Sequence, residues 1–334
     1  MIKLFTHTDL DGVGCAVLAK LAFGDDVDIE YCGYDNIDDR VRNFICEVRP
    51  TEVEAIYITD ISVSYETAQC IEDEGFKDIV RLFDHHKTAE HLNKYDWCFV
   101  AEELEGLKTS GTELFYKHLR EFEYLSNNEK YFTFAWAVTM YDTWIWKEMA
   151  EEEGLMIKEF NDLLYILGRD EFIDRCIRRK KGRGCDSMIT ASIDERKILD
   201  IRQNEIDAYI SRKEKEMFVM TLCGHNAMIV FADRYISQLG NYLCEAYPDY
   251  SLAIVIDPGA CKVSYRTNKD NVNVGEIAKV FGGGGHPKAA GHIFVDTLRS
   301  DMARNLFFYH IGDTVVEPQP EKKKRFLKRL GGNK

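Results

Sequence analysis

The chain has 334 residues, 45% of them hydrophobic and 30% charged, and its formal net charge is −14 at pH 7. This length and composition predict a globular protein of about two domains with a substantial core. The acidic balance argues against broad binding to long duplex DNA, which depends on many Lys and Arg contacts to phosphates. No apolar run is long enough to span a bilayer, so we expect no membrane segment.

The ten cysteines are spread along the chain and form no Cys-x-x-Cys pair. Three of them, Cys15, Cys70 and Cys244, fall within apolar patterns that are typical of helices. We therefore predict reduced, packed thiols rather than disulfides or a thiolate metal site, and we expect a cytoplasmic location.

The first apolar run, Ile2–Thr6, predicts a strand, and His7, Asp9 and Asp11 follow it at alternate positions. Alternate residues of an extended chain face the same side, so these three side chains could surround one ion. Residues 13–23 predict a buried helix, and strand, turn and helix together are the beginning of a βαβ unit. The alternative interpretation is that the aspartates only cap this helix.

Residues 28–32 and Ala55–Thr59 predict two further strands, and Asp60 follows the second of them directly. A helix over 64–74 is predicted next, with Ser64 as its N-cap. An aspartate at a strand end often only caps the next helix, so Asp60 taken alone is weak evidence for a site.

The run 79–83 predicts a buried parallel strand, and Asp84, His85 and His86 follow it without interruption. The carboxyl ends of parallel strands meet at one edge of an open α/β sheet, which is where such folds bind ligands. The polar residues after the three strands are therefore expected to lie close together. Carboxylates gathered in this way repel one another unless cations hold them, so we infer a metal site.

Helices over 109–122 and 131–139 follow, and Asp142 comes after the second of them. The alternation of strands and helices predicts an α/β fold with a doubly wound parallel sheet. The basic run 175–183 has two interpretations, a contact for substrate phosphates or a solvated loop.

A strongly charged helical pattern marks a connector, after which the chain returns to strands. These strands are predicted over Phe218–Leu222, 227–231, 252–256, Lys262–Arg266 and 292–295, with a short helix over 274–281. We therefore predict four parts: a metal-binding domain over 1–186, a helical connector over 187–217, a smaller substrate-binding α/β domain over 218–312 and a basic tail over 313–334.

Four consecutive glycines begin at Gly282 and lead directly into His286. Glycines let the backbone approach a phosphate or a base closely, and their N–H groups can surround an anion. Arg266, on the preceding strand, could hold a phosphate with two donors. The alternative is a mobile linker, which the flanking apolar helix and the following run of small residues disfavour.

The types of ligand narrow the choice of metal. Mixed carboxylate and imidazole ligands suit manganese, whereas calcium prefers oxygen alone. The lack of a matched cysteine set argues against structural zinc. Two metals about 3.5–4 Å apart are the usual device for hydrolysing phosphate esters. One carboxylate must bridge them, and Asp60 is the natural candidate because it lies between the other two groups in the sequence.

These motifs together resemble those of the DHH phosphoesterase superfamily with a DHHA1 C-terminal domain. The matching motifs, in order, are His7-x-Asp9-x-Asp11-Gly12, Asp60, Asp84-His85-His86 and Gly282-Gly283-Gly284-Gly285-His286. The resemblance covers about residues 1–295 and fits best the branch of oligoribonucleases (nanoRNases) and cyclic-nucleotide phosphodiesterases. The spacing of residues in the first motif is shorter than in the inorganic pyrophosphatase branch, which argues against membership of that branch.

The resemblance implies a site for two Mn²⁺ ions, with Mg²⁺ or Co²⁺ as substitutes. The implied metal ligands are His7, Asp9, Asp11, Asp60, His85 and Asp142. One ion would take the first two, the other would take Asp11 and His85, and Asp60 would bridge them. Asp142 is our choice for the aspartate of the family's fourth motif.

The resemblance also implies roles for residues that do not bind metal. Asp84 would orient the ligands, and His86 would contact the phosphate or protonate the leaving oxygen. The implied substrate-binding residues of the second domain are Arg266, Gly283, Gly284, Gly285 and His286.

We therefore expect a manganese-dependent phosphodiesterase that hydrolyses short single-stranded RNA oligonucleotides to mononucleotides. The alternatives among enzymes are a cyclic mononucleotide phosphodiesterase or nucleoside bisphosphate phosphatase, and then a RecJ-like single-strand DNA exonuclease, which would need a long basic channel. The alternative outside enzymes is a non-catalytic nucleotide sensor, which would be expected to lose a metal ligand. The sequence leaves a homodimer open.

Overall fold

A computed structural model describes residues 1–180, 188–295, 297, 301 and 304 of the chain. Within it the chain divides into two compact units between Ile201 and Arg202. The predicted basic tail, 313–334, lies outside the described residues, as does most of 296–312. None of the helices in the described ranges is both long and apolar enough to cross a membrane.

The first unit contains a five-stranded parallel sheet with the order β2-β1-β3-β4-β5. Its strands are β1 Ile2–Thr6, β2 Val27–Tyr31, β3 Ala55–Thr59, β4 Val80–Asp84 and β5 Cys98–Val100, and a small hairpin follows with β6 Glu103–Leu104 and β7 Leu107–Lys108. Its helices are α1 Leu10–Phe23, α2 Ile37–Glu47, α3 Tyr65–Asp73, α4 Gly111–Glu121, α5 Glu129–Asp142, α6 Glu151–Leu167 and α7 Arg169–Lys180. Short 3₁₀ turns occupy Gly24–Asp26, Pro50–Glu52, Lys87–Lys94 and Ile145–Lys147.

Helices cover both faces of this sheet, because successive strand residues point to opposite sides. In β1, Leu4 packs into a core with helices α1, α4, α5, α6 and α7. Its neighbour Phe5 packs into a second core on the other face, with α2 and α3. The predicted doubly wound parallel sheet is therefore confirmed.

The sequence located the strands better than the helices. Strands Ile2–Thr6 and Ala55–Thr59 were predicted with their observed bounds, whereas α2, α6 and α7 were not predicted. The predicted helix 131–139 is longer than expected, because α5 runs from Glu129 to Asp142 and contains Asp142 in its last turn.

The second unit contains a six-stranded mixed sheet with the order β12-β13-β11-β10-β9-β8. Its strands are β8 Phe218–Leu222, β9 His225–Phe231, β10 Leu252–Asp257, β11 Lys262–Arg266, β12 Gly284–Gly285 and β13 Ala289–Ile293. Helix α8, Ile193–Glu214, precedes the sheet, and α9 Ile236–Ala246 and α10 Val274–Val280 pack on its two faces. Only β9 and β10 are parallel, so this is a smaller α/β unit of a different topology.

The basic run 175–183 is helical up to Lys180, where α7 ends, and its remaining residues lie outside the described ranges. Arg175 is buried, with a side chain only 3% exposed. Its guanidinium donates to Glu195 Oε1 at 2.7 Å, to the Met188 carbonyl at 2.7 Å and to the Thr190 carbonyl at 2.9 Å. Arg175 is therefore a structural residue that fixes the chain before α8, which neither interpretation of the sequence included.

We expect Arg175→Met to lower the free energy of unfolding by about 2–3 kcal/mol, because it removes one buried donor that Glu195 and the carbonyls of Met188 and Thr190 share. The matched control is Arg178→Met, since Arg178 pairs with Glu171 at the surface and should lose less than about 1 kcal/mol. Chemical denaturation of both variants measures the difference. Equal losses would contradict the structural role of Arg175.

The same pair predicts a dependence on pH. Burial alone would raise the pKa of Glu195, but hydrogen bonds from Arg175 and Ser192 outweigh it and lower that pKa from 4.5 to about 2. A carboxyl group whose pKa is lower in the folded than in the unfolded chain stabilises the folded state at pH values above its pKa in the unfolded chain. This stabilisation is lost as the pH falls toward the pKa of the group in the folded chain. The stability difference between wild type and Arg175→Met should therefore narrow as the pH is lowered below 4.5. A difference that widened under acid would contradict this assignment.

Candidate metal centre

Three strands of the first sheet deliver the predicted site residues to one edge. His7 and Asp9 follow β1, Asp60 follows β3, and His85 follows β4. The strand order places β1 beside β3, at the point where the direction of winding reverses. Open α/β sheets bind their ligands at this switch point, so the position agrees with the expectation from sequence.

Asp60 lies at the centre of the group and is 1% exposed. Its Oδ2 is 3.7 Å from His7 Nδ1, and its Oδ1 is 3.4 Å from His85 Nε2. The two oxygens of this one carboxylate therefore face ligand groups from two different strands. Asp60 also has a φ of +54°, an uncommon conformation for a residue with a side chain and one that is often found at functional sites.

Glycine at the beginning of α4 makes room for Asp60. A Cβ atom added at Gly111 would lie 2.7 Å from Asp60 Cβ and 2.9 Å from its Cα and N atoms. Because two of these three atoms belong to the backbone, no side-chain rotation could relieve the contact. Gly111 was read from the sequence only as the beginning of a helix.

The same helix end fixes Asp11, which is buried. Its Oδ2 accepts a hydrogen bond from the Gly111 amide at 2.7 Å, and its Oδ1 accepts one from the Thr112 amide at 2.8 Å. Amides at a helix N-terminus favour negative charge, so they hold this carboxylate in one orientation. Asp11 Oδ2 also lies 3.7 Å from His85 Nε2, which leaves it facing the site.

Asp9 caps α1 and also contacts His7. Its Oδ1 accepts from the Gly12 amide at 3.2 Å, and its Oδ2 accepts from His7 Nδ1 at 2.9 Å. Burial alone would raise the pKa of Asp9, but the hydrogen bond and charge of His7 outweigh it and lower that pKa to about 2. The capping interpretation is therefore confirmed for Asp9, and its role as a metal ligand stays a prediction.

Asp142 reaches the site from the last turn of α5. Its Oδ2 is 3.4 Å from His85 Nε2, and it forms a ligand group with Asp11 and His85. The structure thus brings together all six residues that the resemblance implies as metal ligands. They fall into overlapping groups, which include His7 with Asp9 and Asp60, and Asp11 with His85 and Asp142.

The electrostatics of these groups fit the binding of cations. Burial, followed by the charges of Asp11 and Asp9, raises the pKa of both Asp60 and Asp142 well above the ordinary value. Asp60 Oδ2 and His85 Nε2 are buried and have no hydrogen-bond partner among the described residues. Buried polar atoms are normally satisfied, so these two atoms are suited to coordinate ions. The residues can therefore hold divalent metal with mixed oxygen and nitrogen ligands.

Asp84 is directed at its own loop and orients His86. Its Oδ1 accepts from the His85 amide at 2.8 Å and from His86 Nδ1 at 2.7 Å, and Ser62 Oγ donates to its Oδ2. Burial alone would lower the pKa of His86, but the hydrogen bond and charge of Asp84 raise it to about 9. Ser62 was missed from the sequence, because its partner Asp84 lies 22 positions away.

The glycine run lies in the second unit and forms a tight hairpin with β13. The Gly283 amide donates to the Ala278 carbonyl at 2.9 Å, so it ends α10 and is not free for an anion. A Cβ at Gly283 or Gly285 would meet backbone atoms of β13 at 2.1 and 2.6 Å, whereas one at Gly284 would meet nothing within 4 Å. Gly283 and Gly285 are thus needed for packing, and Gly284 leaves an open backbone.

His286 and Arg266 flank this hairpin. The His286 amide donates to the Ala289 carbonyl at 2.8 Å, which closes a turn, and the His286 side chain is exposed. Arg266 pairs with Ala289 across β11 and β13, and its Nη2 donates to Ser237 Oγ at 2.9 Å. The last strand was predicted over 292–295 but begins at Ala289, because the run of small residues pairs closely with β11.

Comparisons with known proteins agree with this architecture. Residues 232–306 match the DHHA1 domain family. The chain is 36% identical over 326 residues to the oligoribonuclease NrnB of Bacillus subtilis strain 168, a match that covers 92% of this chain and 80% of that protein.

Two solved structures share the fold at low identity. The pGpG-specific phosphodiesterase PggH of Vibrio cholerae is 15% identical, with a TM-score of 0.54 and coverage of 92% of this chain and 97% of that one. The exonuclease RecJ bound to manganese is also 15% identical, with a TM-score of 0.54 and coverage of 92% and 89%. Because of its motifs, its fold and its identity to NrnB, the chain is assigned to a family: it belongs to the DHH phosphoesterases with a DHHA1 domain and is a hydrolase that acts on ester bonds.

Proposed function

We propose that the protein hydrolyses phosphodiester bonds in short single-stranded RNA oligonucleotides and releases mononucleotides, with two divalent cations, preferably Mn²⁺. The observation that carries this proposal is the Asp60 carboxylate, whose two oxygens face His7 and His85 separately. The substrate class is supported by the name of the relative NrnB, an oligoribonuclease 36% identical to this chain.

Each cation would be held by residues from more than one element. His7 and Asp9 would hold the first, Asp11, His85 and Asp142 would hold the second, and both would share Asp60. When bound, such a pair of cations lowers the pKa of water and stabilises the charge that develops on the attacking and leaving oxygens. The protein's own contribution is to fix these side chains before substrate arrives, through the amides of α4 and the cap of α1.

His86 is the proposed contact for the reacting phosphate. Asp84 occupies its Nδ1, so its Nε2 is the ring atom left to face the substrate or to protonate the leaving oxygen. Asp84 acts through His86 and is therefore a positioning residue. Ser62 belongs to the same set, because it holds the other oxygen of Asp84.

The second unit would bind the terminal nucleotide of the substrate. The open backbone at Gly284 lets a base or phosphate approach without meeting a side chain, with Gly283 and Gly285 shaping the hairpin. The exposed His286 and the guanidinium of Arg266 would supply the polar contacts. A panel of RNA and DNA oligonucleotides of graded length, with a linear dinucleotide and cyclic AMP, tests the substrate class; hydrolysis of cyclic AMP alone would contradict the proposal.

Asp60→Asn should lower turnover of an RNA dinucleotide by more than about 100-fold. The reason is that it removes the carboxylate that both cations would share, and not a residue that only supports a metal ligand. In the metal-free protein this variant should unfold at a higher temperature than wild type, since it replaces a carboxyl group whose ionised form is disfavoured by burial and by the charges of Asp11 and Asp9. The rise in unfolding temperature that Mn²⁺ produces in wild type should be lost. Asp25→Asn, at a fully exposed position, is the matched control. Full activity of Asp60→Asn would end the proposed mechanism.

His286→Ala should lower kcat/KM for an RNA dinucleotide about 10- to 100-fold, the usual effect of losing a hydrogen bond to a charged group. It should change kcat/KM for bis(p-nitrophenyl) phosphate much less, because that compound has no nucleotide for the second unit to bind. His225→Ala, in β9 of the same sheet, is the control variant. Equal losses on both substrates would contradict a nucleotide-binding role for His286.

A further inference from the structure

A tyrosine that has no assigned role stands beside the proposed phosphate contact. Tyr34 is 62% exposed, yet its hydroxyl oxygen lies 3.2 Å from His86 Nε2. Its ring also lies against His7, with ring centroids 5.1 Å apart. Tyr34 therefore touches both a proposed metal ligand and the proposed contact for the reacting phosphate.

The backbone around Tyr34 is held in place. It occupies a turn between β2 and α2, in which the Gly33 amide donates to Asn36 Oδ1 at 3.0 Å and the Gly33 carbonyl accepts from Asn36 and Ile37 at 3.1 Å. The Cys32 amide just before the turn donates to the Thr6 carbonyl of β1 at 2.8 Å. The turn is thus fixed to the same strand that supplies His7, so the position of Tyr34 is set by the site's own scaffold.

Tyr34 is the last member of a chain of hydrogen bonds. Ser62 donates to Asp84, Asp84 occupies His86 Nδ1, and His86 Nε2 meets the hydroxyl of Tyr34. The first members of this chain are buried or half-buried, whereas Tyr34 is exposed. An exposed aromatic ring gains little from burial here, so core packing does not account for its placement.

We propose that Tyr34 is a further substrate-contacting residue, whose hydroxyl donates a hydrogen bond to a non-bridging oxygen of the phosphate that His86 Nε2 faces. The inference rests on the proposed function, since it assigns the phosphate to that position. Two groups 3.2 Å apart can both lie within hydrogen-bond distance of one oxygen, which needs about 2.7–3.2 Å from each. A tyrosine hydroxyl is protonated at neutral pH and is therefore a donor suited to an anion.

The test compares the full chain of wild type with Tyr34→Phe, which keeps the ring and removes the hydroxyl, with Mn²⁺ present. Tyr65→Phe is the matched control, because Tyr65 is an exposed tyrosine of α3 whose ring lies against Lys94. Two quantities are measured: the dissociation constant of inorganic phosphate by calorimetry, and kcat/KM for an RNA dinucleotide. The Mn²⁺-induced rise in unfolding temperature reports whether the metal ligands remain in place.

For Tyr34→Phe we expect the dissociation constant of phosphate to rise about 10- to 100-fold and kcat/KM to fall by a similar factor. The rise in unfolding temperature with Mn²⁺ should equal that of wild type, and Tyr65→Phe should match wild type throughout. A wild type that binds no phosphate, or a Tyr34→Phe variant that binds it as tightly as wild type, would overturn the inference.

The same data separate the inference from the proposed function. If wild type binds phosphate in a way that depends on Tyr34 but cleaves no oligonucleotide, the proposed function fails and the assignment of Tyr34 is supported. If wild type cleaves RNA and Tyr34→Phe is unchanged in both measurements, the assignment of Tyr34 fails and the proposed function stands.

Discussion

The central constraint on the structure is the electrostatic repulsion among carboxylates that the fold holds close together. Asp60, Asp11 and Asp142 are brought together where water is largely excluded, and burial with their mutual charge raises the pKa of Asp60 and Asp142. Such a cluster costs free energy unless positive charge is added to it. The fold maintains it through the glycine at position 111, which makes room for Asp60, and through the amides of α4 that hold Asp11. We interpret this cost as the price of a preformed site for divalent cations.

The location of the site could be predicted from the sequence because the evidence is local. Apolar runs such as Ile2–Thr6 and Ala55–Thr59 identify buried strands, and the polar residues that follow them must meet at one edge of a parallel sheet. His7, Asp60 and His85 were predicted in this way. The resemblance to a family then added Asp142, which belongs to a helix and not to a strand end.

The residues that were missed take their roles from partners distant in the sequence. Thr112 holds Asp11, 101 positions away, and Tyr34 meets His86, 52 positions away. No periodicity or spacing reveals such pairs. Arg175 was misread for a related reason, since a basic run is usually solvated and only the packed structure shows that this arginine is buried against Glu195.

The central claim is that two cations share the carboxylate of Asp60. Crystals grown with Mn²⁺ and measured at the manganese absorption edge test it directly, because each bound ion gives its own anomalous peak. We predict two peaks about 3.5–4 Å apart, one on the His7 side and one on the His85 side of Asp60. A single peak, or two peaks that do not both contact Asp60, would contradict the account.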